Sequence, residues 1–319
     1  MTISAKIIAD SIGPKTPRLT TMELRYNRFI HAEFMTHRVF SRNASSSRAI
    51  PVERQIQSII EDTAMPMHWG KNQPGMQANE EQNALIYDGA VSSLDMIDNR
   101  FDGVTREAAW LKARDNAIAV ARAFHSAGYH KQIVNRILEP FSHITVVVTA
   151  TDYTNFFGLR RHPDAQPEIR ALADAMYEAM EASTPTFLEP GQWHLPYVPE
   201  HLIKHLTSME NVQYAPEPLS LDDLIKVSVA RCARVSYKTH DGKEPTMAED
   251  LALYDRLVGA QPLHASPAEH QATPDEMVFA DCGLPVWKHP ELSGNFEEGW
   301  IQFRKTLPHE HIRTYEDAD

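Results

Sequence analysis

Polar and apolar positions alternate through Thr20-Thr21-Met22-Glu23-Leu24-Arg25-Tyr26-Asn27 and run on into Phe29-Ile30. That pattern predicts a strand leading into a short apolar segment within 20–34. A polar stretch follows from Thr36 to Arg48, and Pro51 is placed as the first residue of a helix running to about Asp62. Residues 64–77 hold two prolines, two glycines and Trp69, the composition of an irregular binding-type loop. Two long helices are predicted next, one over roughly 79–101. The other has Thr105 as N-cap and runs past Ala108, Leu111, Ala119 and Phe124 to Gly128 at C′. His130 to Leu138 reads as a short helix stopped by Pro140. Ile144 to Thr149 is β-branched throughout and predicts a buried strand. From Glu168 to Met180 the apolar residues Ile169, Leu172, Ala173, Met176 and Met180 fall on one helical face. Residues 184–218 carry six prolines and read as a wrap-around loop. Leu221–Tyr237 and Met247–Val258 read as helices, and the tail from Pro262 is loop-rich with strands near 276–280 and 299–304. The chain is therefore a mixed α+β sequence in which helix dominates, without an internal repeat.

Composition narrows the class. At 319 residues the chain suffices for one large domain or two ordinary ones, and 42% hydrophobic with 23% charged residues is a globular balance. The longest aliphatic run, around Ile144 to Val148, is far too short to span a bilayer. Met1 to Lys15 lacks a sustained apolar core, so neither signal peptide nor anchor is expected. Two cysteines, Cys232 and Cys282, make no disulfide framework and suit a reducing cytoplasm. A net charge of −12 argues against sequence-independent binding of nucleic acid, which relies on basic surface.

One segment runs against that charge. The 17 residues from Phe34 to Ile50 contain Arg38, Arg42, Arg48, one histidine, four serines, one threonine, one asparagine and no acid. Guanidinium forks, hydroxyls and backbone N–H groups concentrated in this way suit an anionic ligand such as a phosphate. A solvated basic loop with Ser-rich turns is the competing interpretation of the composition.

The spacing within the segment is more specific. His37-Arg38, then Ser41, Asn43, Ser46 and Arg48, resembles the Arg-His-Arg signature of the flavin-dependent thymidylate synthases, with Thr36 in place of the first Arg and Ala44 in place of an acid. A second block, Asn155-Phe156-Phe157-Gly158-Leu159-Arg160 followed by Asp164-Ala165-Gln166-Pro167-Glu168-Ile169-Arg170, is similar to the family's Asn-Phe-Leu-x-Leu-Arg…His-Ala-Gln-x-Glu-Ile junction. A third, Asn135-Arg136-Ile137-Leu138-Glu139-Pro140, is similar to its Ala-Arg-x-x-Leu-Pro segment. A fourth lies out of order. Ala233-Arg234-Val235-Ser236-Tyr237 and His264-Ala265-Ser266-Pro267-Ala268-Glu269-His270 resemble segments that precede the signature in the family and follow everything else here. The resemblance thus implies a circularly permuted relative whose chain begins at the strand near residue 20. It covers roughly 20–60, 105–182 and 224–271 of a single domain, leaving insertions at about 62–80 and 184–218 and the tail after 271 without counterpart.

The resemblance implies an α+β fold, an antiparallel or mixed sheet flanked by long helices, and a homotetramer with sites at subunit interfaces. It implies that His37, Arg38, Asn43, Asn155, His264, Ser266 and Glu269 touch FAD, with Asp152 where the family often has Asn. It assigns Ser46, Ser47, Arg48, Arg136 and Arg160 to the nucleotide, with Glu33 at a position often held by Gln. Arg160 would polarise the pyrimidine, stabilising negative charge as C5 attacks. Ser46 is the other candidate at the reacting centre, as a ligand-binding hydroxyl, since no base is evident beside it. The implied reaction carries a one-carbon unit from methylenetetrahydrofolate to C5 of dUMP, giving dTMP, with NADPH reducing FAD. The substitutions at Glu33, Thr36 and Ala44 keep open a hydroxymethylase or methylase of dUMP or dCMP. Two rivals from other classes are a non-catalytic nucleotide-binding homologue and a factor modifying RNA or DNA. The folate-only route needs a nucleophilic thiol; Cys232 reads as a small buried residue and Cys282 has no partner. His201, His205 and the His309-Glu310-His311 triplet lack a third ligand of recognisable spacing, so no metal site is expected. Trp69 and Trp193 either close over a folate or pin their loops.

Overall fold

The computed structural model describes residues 3–87, 94–95, 100–203, 220–235, 243–259, 263–308 and 310. Its centre is a five-stranded mixed sheet. The strands are β1 (Ser4–Ile12), β2 (Leu19–Asn27), β3 (Ser41–Ala44), β4 (His143–Ala150) and β5 (Thr186–Phe187), in the order β3-β4-β2-β1-β5. All neighbours are antiparallel except β1 and β5. The β1 strand precedes the strand expected near residue 20 and pairs along its length with it. Its sequence, SAKIIADSI, places two isoleucines side by side, which hides the period of two.

The β2–β4 register sets Met22 opposite Val148, Leu24 opposite Val146 and Tyr26 opposite Ile144 on one face. Helix α5 (Pro167–Glu181) packs its stripe of Ile169, Leu172, Ala173 and Met176 onto that face. Besides the single turn His31–Phe34, the helices before α5 in the chain are α1 (Val52–Glu61), α2 (Arg106–Ser126), α3 (Lys131–Leu138) and α4 (Thr154–Arg160). Burying each Ile, Leu or Met of the α5 stripe contributes about 1.5–3 kcal/mol. Phe34, Phe40, Tyr153 and Phe156 close the same core, so Phe156 is a packing residue. The opposite face carries Thr21 opposite Thr149 and Glu23 opposite Val147, and is covered by residues 194–197, 270–272 and helix α6 (Leu221–Arg234). Helix α7 (Met247–Leu257) packs on α6; there Arg231 donates to the fully buried Asp250 at 2.9 Å and Arg234 pairs with the same carboxylate.

A third cluster joins α1, α2 and α3 through Ile56, Ile59, Ile118, Ala121, Val134 and Leu138. Thr105 caps α2 by accepting from the Ala108 N–H, and Gly128, at φ 87°, follows its end. The predicted helix over 79–101 does not form in the described residues. Trp69 and Lys71 exchange backbone hydrogen bonds with Gln82 and Glu80, Ile86 pairs both ways with Val104, and Leu94–Asp95 pairs antiparallel with Arg100–Phe101. Leu85, Ile86 and Tyr87 are all exposed, so residues 79–87 present no core-facing stripe to hold a helix. Pro51 sits one residue before α1 rather than inside it. The tail forms two short antiparallel pairs, Ala272–Pro274 with Trp300–Gln302 and Met277–Phe279 with Pro285–Trp287. Trp69 packs edge-on to Trp110 and Trp193 edge-on to Phe303, so both indoles pin their loops. Among the described residues no helix is long and apolar enough to cross a membrane. His205, His309, His311, Ser236 and Tyr237 lie outside the described residues.

Candidate functional site

The Arg/Ser segment leaves the core at Phe34, turns through 35–40 and returns as edge strand β3. The turn is held from within: the Arg42 Nη1 donates to the carbonyls of Met35 at 3.0 Å and His37 at 2.8 Å. His37 is buried between Phe40, with ring centroids 5.9 Å apart, and Phe156, edge-on at 4.9 Å. Helix α4 ends at Arg160, whose Nε donates to His37 Nε2 at 3.0 Å while its Nη2 reaches Thr36 Oγ1 at 3.4 Å. Burial, then the Arg160 and Arg42 charges, push the His37 imidazole below its usual range, so it is neutral at pH 7. Thr36, standing where the resemblance has arginine, donates to the Glu33 carbonyl at 2.7 Å.

Beyond the turn, β3 meets the distant piece around residue 266. The Asn43 amide lies 3.4 Å from Ser266 Oγ and 3.1 Å from His270 Nε2. Ser266 and His264 are exposed, and Glu269 is engaged by Arg304. Asp152, one residue ahead of the N-cap Tyr153, accepts on Oδ1 from the Thr154 N–H at 2.7 Å, and Asn155 is exposed on the first turn of α4.

A second group of polar side chains gathers where residues 45–50 rest on α3. The Asn135 amide donates to the carbonyls of Ser47 at 2.7 Å and Ile50 at 2.9 Å, which fixes a 3₁₀ turn over Ser47–Ala49. Ser46 caps that turn by accepting from the Arg48 N–H at 3.3 Å. Ser47 Oγ donates to Glu139 Oε1 at 2.7 Å, Arg136 Nη1 donates to the same oxygen at 2.8 Å, and Arg28 Nη1 lies 3.6 Å from it. Tyr26 and His31 join this group, with Tyr26 Oη 2.8 Å from His31 Nδ1. Burial and the Arg28 and Arg42 charges push His31 below its usual range as well.

The structure therefore brings Thr36, His37 and Arg160 together, sets Asn43 beside Ser266, and places Ser47, Arg136 and Glu139 in one cluster. Arg38, Arg48 and His264 project into solvent, and Arg38 and Arg48 form no ion pair among the described residues. Sequence reasoning missed Arg28, His31 and Glu139. The signal for Glu139 was available, since an acid stands where the Ala-Arg-x-x-Leu-Pro pattern has leucine. Arg28 and His31 lie outside every matched block.

The model of the thymidylate synthase complementing protein family matches residues 19–186, more than half of the chain. No curated protein matches it by sequence. Among solved structures, a UMP/dUMP methylase, PolB, from Streptomyces cacaoi bound with 5-Br dUMP is similar at 17% identity and a TM-score of 0.35, over 51% of this chain and 65% of that one. The same methylase bound with 5-Br UMP is similar over 56% of this chain and 88% of that chain, again at 17% identity and a TM-score of 0.35. The flavin-dependent thymidylate synthase ThyX from Helicobacter pylori, complexed with FAD and dUMP, is similar at 16% identity and a TM-score of 0.31, over 51% of this chain and 67% of that one. This chain thus spans slightly less than two thirds of the first of these proteins. From the family match over 19–186, the chain belongs to the thymidylate synthase complementing protein family, that of the flavin-dependent thymidylate synthases.

Proposed function

We propose that the protein transfers a one-carbon unit from methylenetetrahydrofolate to C5 of a pyrimidine deoxynucleotide, dUMP to dTMP, using FAD and NADPH, in a homotetramer. The observation that carries this reading is the meeting of two distant segments, with Asn43 of the Arg/Ser segment lying within 3.4 Å of Ser266 and 3.1 Å of His270. The same meeting supports a circular permutation of the family's segment order. The donor set suits an anionic dinucleotide: Arg38 is exposed without an ion-pair partner among the described residues, and Ser266, His264 and Asn155 are exposed as well.

FAD, when bound, supplies a hydride to complete the methyl group. In this proposal His37, Arg38, Asn43, Asn155, His264 and Ser266 hold it. Glu269 acts through Arg304, and Asp152 acts by accepting from the Thr154 N–H at the start of α4. Ser46, Ser47, Arg48 and Arg136 hold the nucleotide phosphate, and Glu33 borders the site. Arg160, anchored on the neutral His37, keeps a fixed cation at the pyrimidine edge where negative charge develops. Neither thiol is needed, and Cys232 is buried with its pKa pushed up by that burial.

A second reading, methylation of dCMP or hydroxymethylation of either nucleotide, rests on Glu33, Thr36 and Ala44, which stand where the family pattern has Gln, Arg and an acid; of these Thr36 borders Arg160, its Oγ1 lying 3.4 Å from Arg160 Nη2. The deciding experiment is the visible spectrum of the purified protein, its bleaching by NADPH with and without dUMP, and the product mass from dUMP and dCMP. A colourless protein that takes up no FAD would instead identify a non-catalytic nucleotide-binding homologue.

A further inference from the structure

A continuous line of side-chain hydrogen bonds crosses the second face of the sheet and ends at Asn43. Ser11 Oγ lies 2.8 Å from His194 Nδ1, and His194 Nε2 lies 2.7 Å from Thr21 Oγ1. Thr21 Oγ1 is 2.7 Å from Thr149 Oγ1, which is 2.7 Å from His270 Nδ1. His270 Nε2 then meets the Asn43 amide at 3.1 Å. Five of these residues are buried, Thr21, Thr149 and His270 completely. Burial pushes both imidazoles down to about 3, so each is neutral, with one N–H and one bare nitrogen.

Proton counting then leaves little freedom. Each link needs one proton, and each threonine hydroxyl or neutral imidazole supplies one. The direction chosen at one end is thus imposed on every link. If the amide nitrogen of Asn43 faces His270, both histidines carry their proton on Nδ1. If the amide oxygen faces it, both carry it on Nε2. The surroundings of Asn43 make the choice: the amide atom that faces His270 also lies 3.1 Å from the backbone carbonyls of Arg42 and Ser266, which only accept. The nitrogen belongs there, and the oxygen is left beside Ser266 Oγ at 3.4 Å.

We propose that His270, Thr149, Thr21 and His194 are positioning residues that hold the Asn43 carbonyl oxygen outward beside the Ser266 hydroxyl, making the pair an acceptor for an N–H or O–H donor of the bound ligand. The ligand half of this statement rests on the flavin reading above; the proton arrangement does not.

The test is nitrogen NMR of the full chain labelled with ¹⁵N-histidine, free and with FAD. Both His194 and His270 should be Nδ1–H neutral tautomers in each state. A Nε2–H tautomer at either position, or one of each, overturns the proposal. Thr149→Val cuts the line and should weaken FAD binding by about threefold to tenfold, whereas Thr149→Ser, which restores the hydroxyl, should return it to within about twofold of wild type. Equal affinity in the Val and Ser variants overturns the positioning role. Failure of the unaltered protein to bind FAD removes the flavin reading, while the tautomers still decide the proton arrangement.

Discussion

The Arg160 guanidinium donates its Nε–H to the Nε2 of His37 at 3.0 Å, which leaves the single proton of that imidazole on Nδ1. The pair is held from both sides, by the end of α4 and by the aromatic walls of Phe40 and Phe156. Arg160→Ala removes a cation that holds the His37 pKa down. The imidazole should therefore titrate at higher pH in the variant, as followed by histidine NMR. In the proposed reaction the variant keeps flavin and loses turnover by about 10²–10³-fold, the scale for removing one preorganised charge-stabilising donor. Arg160→Lys should not restore it, because an ammonium cannot reach His37 and Thr36 with one planar fork. Unchanged turnover in Arg160→Ala would take Arg160 out of the mechanism.

Glu139 gives a separate prediction. Its carboxylate occupies the cations and hydroxyl assigned to the nucleotide, accepting from Ser47 and Arg136. A carboxylate roughly 6 Å from a phosphate in a water-like dielectric repels it by about 0.7 kcal/mol, and by more where water is excluded. Glu139→Gln keeps an acceptor for Ser47 and removes the charge, so dUMP should bind about threefold tighter or more by calorimetry. The half-exposed pair with Arg136 is worth about 0–1 kcal/mol, so the fold should tolerate the change. Unaltered dUMP affinity would place the phosphate away from Ser47 and Arg136.

Elements with a clean period were legible from the sequence. The alternation through Thr20–Asn27 became β2, the β-branched run became β4, and the stripe from Ile169 to Met176 became the face of α5. Thr105 and Gly128 bounded α2 as expected because both signals are local. The segment over 79–101 misled because its charged and amide residues suit a helix, whereas pairing with 69–71 and 104 is a long-range event that no local window contains. The site divides in the same way. The Arg/Ser hook is visible as composition, and His37, Arg160, Asn43 and Ser266 through their motifs. Arg28 and His194 carry no motif and gain their partners only when β4 and residues 194–197 fold against β2.

The buried histidines make stability depend on acid in a definable window. His194 and His270 are pushed down to about 3 and His143 to about 4 by burial, against about 6.5 in the unfolded chain. Below pH 6.5 the unfolded state binds protons that the native state refuses, so stability falls as pH drops from 6.5 towards these lower values. Each histidine contributes a slope of up to about 1.4 kcal/mol per pH unit in that range. Urea midpoints at pH 7, 6 and 5 should fall with increasing steepness, and stability independent of pH between 7 and 5 would contradict the burial of all three. Among the described residues both ring nitrogens of His143 lack a hydrogen-bond partner, with the Asp62 carboxylate 4.0 Å from Nδ1, so His143→Phe should flatten the profile with little loss at pH 7.

The two thiols should differ sharply in reactivity. Cys232 is fully buried on α6, beside Val147 and Tyr197, and burial pushes its thiol well above the ordinary range. Cys282 is exposed in the turn between the strands Met277–Phe279 and Pro285–Trp287. A thiol reagent should therefore modify one cysteine in the native protein and both in denaturant, with Cys282→Ser abolishing the native reaction. The consequence for function follows from the proposed chemistry, which asks no sulfur to attack the pyrimidine. Alkylated protein and Cys282→Ser should turn over as fast as the untreated enzyme. Loss of turnover on alkylation, prevented by Cys282→Ser, would mean only that the added group obstructs the site. Loss in Cys282→Ser itself would instead require a thiol in the reaction and remove the hydride route.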